Sequence, residues 1–543
     1  MAVLETQIDS SSASYQANSQ VMTLAVSKFR DIEQRVLDAA EQKAPRYLKK
    51  GLLPPRQRLS SLLDPNTHFL ELSTLCGYMQ EDDKDGSAAG GSSITGIGYV
   101  AGVRCMVMVD DYLTKGGSIT RLGGLKRQRM LKLALENKLP VIALSQSGGG
   151  NLASLGDWFG FSGTGFALQA KLSATGIPQI TVVHGSATAG GAYQPGLSDY
   201  VIMIRKQSTV YLAGPPLLKA ATGEIATDEE IGGAQMHAEI SGTADYLAEN
   251  DLDGIRIARE TAQSLHWNKN GQSLNVNKNT NEIAYQPPRY DKEELIGIVP
   301  VEAKTPYDVR EIIARIADDS DYLDFKSDYD IGTVCGHMMV QGIRCGVIGN
   351  NGPITANGAA KAGQFIQLCE QAGTPIVFLH NTTGFLVGTA SEQAGIIKHG
   401  AKLVQAVTNC TVPKISIVVG GSYGAGNYAM AGRSIEPRFM FAWPRSVVSV
   451  MGPAQAGSVL RTVASAKMAR NGDVDHAKLD AIEHATVTAM DEKSKALANT
   501  ARLWDDGIID PRDTRAILGF ALQICVEGDL RTVNANTFGI ARL

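Results

Sequence analysis

Short apolar runs rich in β-branched residues recur along the chain. Each is followed by a stretch of helical period or by a cluster of glycines. Arg104–Val109 and Arg344–Ile348 are two such runs, and each leads to a helical stretch, Gln128–Glu136 and Ala360–Gln371. A further apolar run then ends in a glycine-rich turn, VIALSQSGGGN in the first case and IVFLHNTTGF in the second. A second helical stretch leads to an X-Pro strand, and these strands also run into glycines, ITVVHGSATAGGAY and ISIVVGGSYGAGNY. Apolar β-branched runs alternating with helical periods predict α/β units around a largely parallel core.

The same order of elements occurs twice. Gly102-Val103-Arg104-Cys105 returns 240 positions on as Gly342-Ile343-Arg344-Cys345. Leu139-Pro140-Val141-Ile142 returns 235 positions on as Thr374-Pro375-Ile376-Val377, and Ile177-Pro178-Gln179-Ile180 at the same spacing as Val412-Pro413-Lys414-Ile415. The chain therefore reads as an internal duplication of one α/β fold. Between the copies lies a polar, Asn-rich segment, 266–289, closed by Pro287-Pro288, which reads as a linker. The expected domains are 1–265 and 290–543, with a helical lead-in over the opening residues.

The glycine turns are the candidate chemistry. At an offset of 235, Gly185 falls on Gly420, Gly190 on Ala425, Gly191 on Gly426 and Tyr193 on Tyr428. Each turn follows a buried strand and opens a helix, where successive N–H groups lack intrahelical acceptors. The positive end of the helix dipole lies behind them. That is the make-up of an oxyanion hole, and small residues let an oxygen approach the backbone. Two holes suit a reaction in which two carbonyl compounds both become anionic. The plainer reading is that these glycines permit sharp turns and close packing. A rival reading takes Gly420-Gly421-Ser422-Tyr423-Gly424 as G-x-S-x-G and Ser422 as the nucleophile of an α/β-hydrolase. The repeat sets Ala187 opposite Ser422, and a hydrolase gives no reason for a duplication.

Composition narrows the picture slightly. A chain of 543 residues exceeds one core. A formal net charge of -4 implies no nucleic-acid partner. Seven cysteines without a C-x-x-C read as reduced, mostly buried thiols. No run of 18 apolar residues and no secretory h-region occur, so no membrane span and a cytoplasmic location are expected. There is no Walker A sequence and no His/Cys set with metal-ligand spacing, so no bound metal is predicted.

SATAGGAYQPGLSDY with RKQSTVYLAGPPLLKAATGE, and GFLVGTASEQAGIIKHGAKL, GGSYGAGNYAMAGR, FAWPRSVVSVMG and LWDDGIIDPRDTR, resemble the carboxyltransferase (beta) subunits of biotin-dependent acyl-CoA carboxylases. KKGLLPPRQRLSSLLDPNTHFLEL fits the same family, so the resemblance covers nearly the whole chain. It implies two tandem crotonase-like (ββα-spiral) domains, acyl-CoA on the first and biotin on the second, with the active site between the N-domain of one copy and the C-domain of another. It implies that Gly190 and Gly191 stabilise the thioester enolate oxygen, and that Ala425 and Gly426 stabilise the biotin ureido oxygen. Ser147, Gly148, Gly149, Ala187 and Gly117 would line the acyl-CoA side, and Thr383, Gly384 and Phe385 the biotin side. Carboxybiotin would break down to CO2 and a biotin enolate, and that enolate would take the substrate proton, so no side-chain base is demanded.

The chain lacks an A-M-K-M-type biotinylation site, and Ala466-Lys467-Met468 does not supply one. The resemblance therefore implies a separate alpha subunit with biotin carboxylase and biotin carrier parts, and a beta homo-oligomer, a hexamer within an alpha–beta complex. A non-catalytic scaffold and a biotin-dependent decarboxylase are the other readings.

GGSYGAGNYAM resembles the methylcrotonyl-CoA and geranyl-CoA branch (leucine and terpene catabolism) more than the propionyl-CoA branch. The segment LASLGDWFGFSGTGFALQ is short and rich in small residues, which favours a longer acyl chain and so geranyl-CoA, with Gly163 and Gly165 as pocket positions. Arg56, Arg58 and Lys126 are candidates for the CoA phosphates.

Overall fold

The computed structural model describes residues 2–80, 83–151, 156, 159–267, 285–302, 305–470, 472 and 474–541. Most of the linker, residues 268–284, and part of the small-residue segment, residues 152–155, 157 and 158, lie outside them. The chain divides into two compact units. One comprises Asp31–Ser273, Ala501–Leu503 and Glu527–Leu543, the other Met1–Arg30, Leu274–Thr500 and Trp504–Val526.

Strand β1 (Ala2–Val3) belongs to the second of these units, where it pairs antiparallel with Asp321–Asp324. A long helix, Ala13–Leu48, follows it and accounts for the helical lead-in. The first unit's sheet holds β2 (Leu70–Glu71), β3 (Ser93–Val100), β4 (Val103–Asp110), β5 (Val141–Ser147), β6 (Gln179–Thr188), β7 (Tyr200–Ile204), β8 (Thr209–Tyr211) and β9 (Tyr246–Ala248). Its order is β2-β3-β4-β5-β6-β7-β9, with β8 pairing the end of β6. The pairs β2-β3 and β3-β4 are antiparallel and the rest parallel.

The second unit repeats this plan with β10 (Asp321–Asp324), β11 (Thr333–Val340), β12 (Ile343–Asn350), β13 (Ile376–Thr382), β14 (Lys414–Tyr423), β15 (Phe439–Ala442) and β16 (Val447–Ser449). The order is β1-β10-β11-β12-β13-β14-β15, with β16 on the end of β14. Each sheet thus opens with an antiparallel hairpin that the apolar runs alone did not predict, because β3 and β11 carry glycines and polar residues.

The predicted helices exist and begin earlier than expected, as Arg121–Glu136 and Ala356–Gln371. Each starts at a threonine, Thr120 or Thr355, whose hydroxyl accepts from the N–H three residues on. The change of repeat spacing from 240 to 235 falls in the link before these helices, Asp111–Thr120 in one unit and Asn351–Thr355 in the other. In the first unit Ile180, Val182, Ile202 and Ile204 pack with Ile255, Ala258 and Ala262 of the helix Asp251–Ser264. In the second, Ile376 and Phe378 pack with Phe365, Ile366, Leu403 and Val407. Central parallel strands covered by helices are buried on both faces, which is why they read as continuous apolar runs.

Candidate active site: two matched turns

In the first unit the turn is assembled at the end of β5. Pairing with β6 slips between Ser145 and Ser147, where Gln146 alone faces His184, Gly185 and Ser186, so the irregularity lies on β6. Beyond it Ser147 sits opposite Ala187. The Ser147 hydroxyl donates to the Gly117 carbonyl at 3.0 Å and accepts from the Gly149 N–H at 3.1 Å. Gly149 has φ 86°, and a Cβ there would lie 3.0 Å from the Thr188 carbonyl oxygen. A Cβ on Gly117 would lie 2.6 Å from the Gln146 carbonyl oxygen. Gly148 is exposed between these buried residues.

The chain leaves β6 through Ala189 and winds one tight turn, Ala189–Ala192, before the short helix Tyr193–Gly196. Gly190 is exposed and Gly191 buried. A Cβ on Gly190 meets nothing, whereas one on Gly191 would press on the Ser147 Cβ at 3.3 Å. The N–H groups of this turn open a helical segment and lack intrahelical acceptors.

The second unit builds the same object from different residues. Pairing of β13 with β14 slips between His380 and Thr382, and Thr382 then sits opposite Ser422. Thr382 Oγ1 accepts from the Gly384 N–H at 3.2 Å, as Ser147 does for Gly149. Gly384 has φ 104°, with a Cβ position 3.2 Å from the Tyr423 carbonyl oxygen. Thr383 is exposed, and Phe385 packs over Gly400. The helix Gly424–Ala429 then starts with Ala425 exposed and Gly426 buried, and a Cβ on Gly426 would lie 2.8 Å from the Gly384 Cα. An oxygen could approach the N–H groups of 425 and 426 over the exposed side, so these residues fit a ureido carbonyl.

Sequence reasoning missed the support beneath the first turn. The Gln146 side chain lies against Gly185, where a Cβ would be 2.7 Å from its amide nitrogen. Its amide oxygen accepts from Arg58 Nη1 at 2.6 Å. Arg58 is fully buried and pairs with Asp251 at 3.5 Å. Asp251 also binds His184 Nδ1 at 2.7 Å, Gln207 Nε2 at 2.6 Å and the Leu53 N–H at 2.6 Å. Burial by itself raises the Asp251 pKa, but His184 and Arg58 hold it down at about 2. Burial lowers His184 to about 4, so its ring is neutral at pH 7.

This placement corrects two of the phosphate candidates. Arg58 and Lys126 are enclosed, and Lys126 donates to the Gly90 and Ser93 carbonyls at 3.0 and 2.8 Å. Lys361 does the same for Tyr329 in the second unit, so this lysine is a duplicated structural feature. Arg56 is bound to Glu71 through both terminal nitrogens.

The hydrolase reading fails on geometry. Ser422 lies inside β14 rather than at a strand-to-helix elbow, is fully buried, and its hydroxyl is already held by His380 and Asn427. Gly163 caps the helix Thr164–Thr175, and both Gly163 and Gly165 border open space. Among the described residues no group of His, Cys, Asp or Glu could hold a metal, and no helix is long and apolar enough to cross a membrane. All seven cysteines are buried, and none is joined in a disulfide.

Two tandem crotonase-like folds, each ending a buried strand in an open N–H turn, fit the acyl-CoA carboxyltransferases. Comparison with known proteins places the chain within that class. Residues 46–538 match the carboxyl transferase domain family, to which the chain belongs, and it is a carboxyltransferase (beta) subunit of a biotin-dependent acyl-CoA carboxylase. It is 42% identical to a probable biotin-dependent acyl-coenzyme A carboxylase beta2 subunit of Mycobacterium tuberculosis, over 100% of both chains. It is 41% identical to a probable mitochondrial methylcrotonoyl-CoA carboxylase beta chain of Drosophila melanogaster, over 100% of this chain and 95% of that one. The crystal structure of the P. aeruginosa geranyl-CoA carboxylase beta subunit superposes with a TM-score of 0.92 at 52% identity, covering 100% of both chains.

Proposed function

We propose that this subunit transfers a carboxyl group to the γ-carbon of a branched, unsaturated acyl-CoA, with geranyl-CoA as the favoured substrate. The observation that carries this reading is the full-length likeness to a geranyl-CoA carboxylase beta subunit, at higher identity than the methylcrotonoyl-CoA carboxylase chain described above. Methylcrotonyl-CoA is the second reading, favoured by the relatives that carry that name.

In this account the thioester oxygen lies on the N–H groups of Gly190 and Gly191. The γ-carbon's proton would pass to the biotin side, the charge left behind delocalises onto that oxygen, and donors already in place stabilise it without reorganisation. Ala425 and Gly426 take the ureido oxygen of the biotin side. Carboxybiotin, carried by a separate alpha subunit, supplies the carboxyl group. Ser147 and Thr382 fix the neighbouring loops, and Ser147, Gly148, Gly149, Gly117 and Ala187 border the acyl-CoA side. Thr383, Gly384 and Phe385 border the other. The beta subunits assemble as a hexamer in this reading. A Gly163→Phe or Gly165→Phe change tests the acyl site. It should lower kcat/KM for geranyl-CoA more than for methylcrotonyl-CoA, and equal loss on both would defeat the pocket assignment.

A further inference from the structure

We infer that Ser422 is a positioning residue: its hydroxyl ties the strand β13 to the helix that carries Ala425 and Gly426, and so sets the biotin-side hole. The inference rests on the assignment of that hole.

Ser422 is the serine the sequence offered as a nucleophile, and the structure uses it otherwise. Its Oγ lies 3.0 Å from His380 Nδ1 on β13 and 2.8 Å from Asn427 Nδ2. Asn427 follows Gly426 directly, inside the helix Gly424–Ala429. Burial pushes His380 down to about 3, so the ring is neutral. With its proton on Nε2, Nδ1 accepts from the serine hydroxyl, which in turn accepts from the Asn427 amide. The three groups form one directed chain from a rigid strand to the first turn of the helix. Ser422, His380 and Asn427 are all buried, so water does not compete for these bonds.

The first unit provides an internal control. The positions of Ser422, His380 and Asn427 are there occupied by Ala187, Ser145 and Ala192. Alanine at two of the three points shows that the fold itself does not require the tie. The first unit instead fixes its bulge through Gln146 and Arg58. The tie is therefore specific to the second turn, where Gly426 must sit against Gly384 with no room for a Cβ. A fixed helix start keeps two N–H donors on the line along which charge develops, and misplacement of such donors weakens catalysis steeply.

The test uses the complete alpha–beta complex and ATP-dependent fixation of labelled bicarbonate. Ser422→Ala should lower kcat about tenfold with KM for acyl-CoA unchanged, because the acyl side is untouched. Asn427→Ala, which cuts the same bond from the helix side, should match it. The double variant should be no worse than either single one. Gly426→Ala, which blocks the hole itself, serves as the reference. Full kcat in assembled Ser422→Ala, with Gly426→Ala impaired, would overturn the tie and leave the hole standing. Full kcat in both would remove the hole and the tie together. Abolition of activity by Ser422→Ala alone, with Asn427→Ala normal, would restore a direct chemical role for the hydroxyl and also overturn the tie.

Discussion

Ala189 and Gly424 share one left-handed backbone conformation, φ 52° and φ 53°, at the matching point of the two turns. Each is the residue through which the chain leaves its long strand and starts the helix that offers the N–H pair. For alanine this conformation is strained, by roughly 1–2 kcal/mol. Ala189→Gly should therefore leave the fold intact and raise its stability, by about 1 kcal/mol at most because glycine also loosens the unfolded chain. Gly424→Ala should destabilise, since its Cβ would also stand 3.1 Å from the Val450 carbonyl oxygen. Thermal unfolding of the two variants measures the opposed signs.

Gly191→Val should cost about 10²- to 10³-fold in kcat for carboxylation, the usual effect of losing an oxyanion donor. The valine would push on Ser147, which a Cβ already meets at 3.3 Å, and tilt the turn. Retained carboxylation in a correctly assembled complex would contradict the role of this turn.

Arg58→Met should destabilise the first unit by about 3–5 kcal/mol, because it leaves Asp251 buried without its cation. It also frees the Gln146 amide oxygen. Denaturant unfolding reads the loss. A change under 1 kcal/mol would show that His184, Gln207 and the Leu53 N–H suffice to hold Asp251.

A pH effect should come from the buried pair Asp505 and Asp506. Asp506 is committed to Arg433 at 2.9 Å and the Met440 N–H at 2.9 Å. Burial first, and then the neighbouring Asp506 charge, push Asp505 up to about 7. Its pKa in the unfolded chain is near 3.8, the ordinary value for an aspartate. Between those values the folded protein binds the extra proton, so this group's stabilising effect is present in acid and lost as pH rises to about 7. Asp505→Asn should therefore narrow the difference in Tm between pH 5 and pH 8. An unchanged difference would place the titration elsewhere.

The duplication and the two turns were legible because short-range patterns encode them. Strand periodicity, the X-Pro starts and the Gly190/Ala425 and Gly191/Gly426 matches all survive in the linear text. What was not legible depends on burial. Nothing in the sequence distinguishes Arg58, enclosed beside Asp251, from a solvent-facing arginine near a phosphate. The G-x-S-x-G around Ser422 reads alike whether the serine stands at an elbow or inside a strand, and only the pairing of β14 with β16 shows that the strand continues through it. Strand β1 was missed because two residues carry no period, and its partner β10 lies more than 300 positions away.

The central claim is tested most directly by ATP-dependent fixation of labelled bicarbonate, with this subunit purified in complex with its native biotinylated partner. Geranyl-CoA, methylcrotonyl-CoA and propionyl-CoA are offered side by side. The account predicts fixation on acyl-CoA with the highest kcat/KM for geranyl-CoA. A preference for methylcrotonyl-CoA would keep the two turns and remove the enlarged acyl site, and no fixation on any acyl-CoA with a fully biotinylated partner would contradict the account.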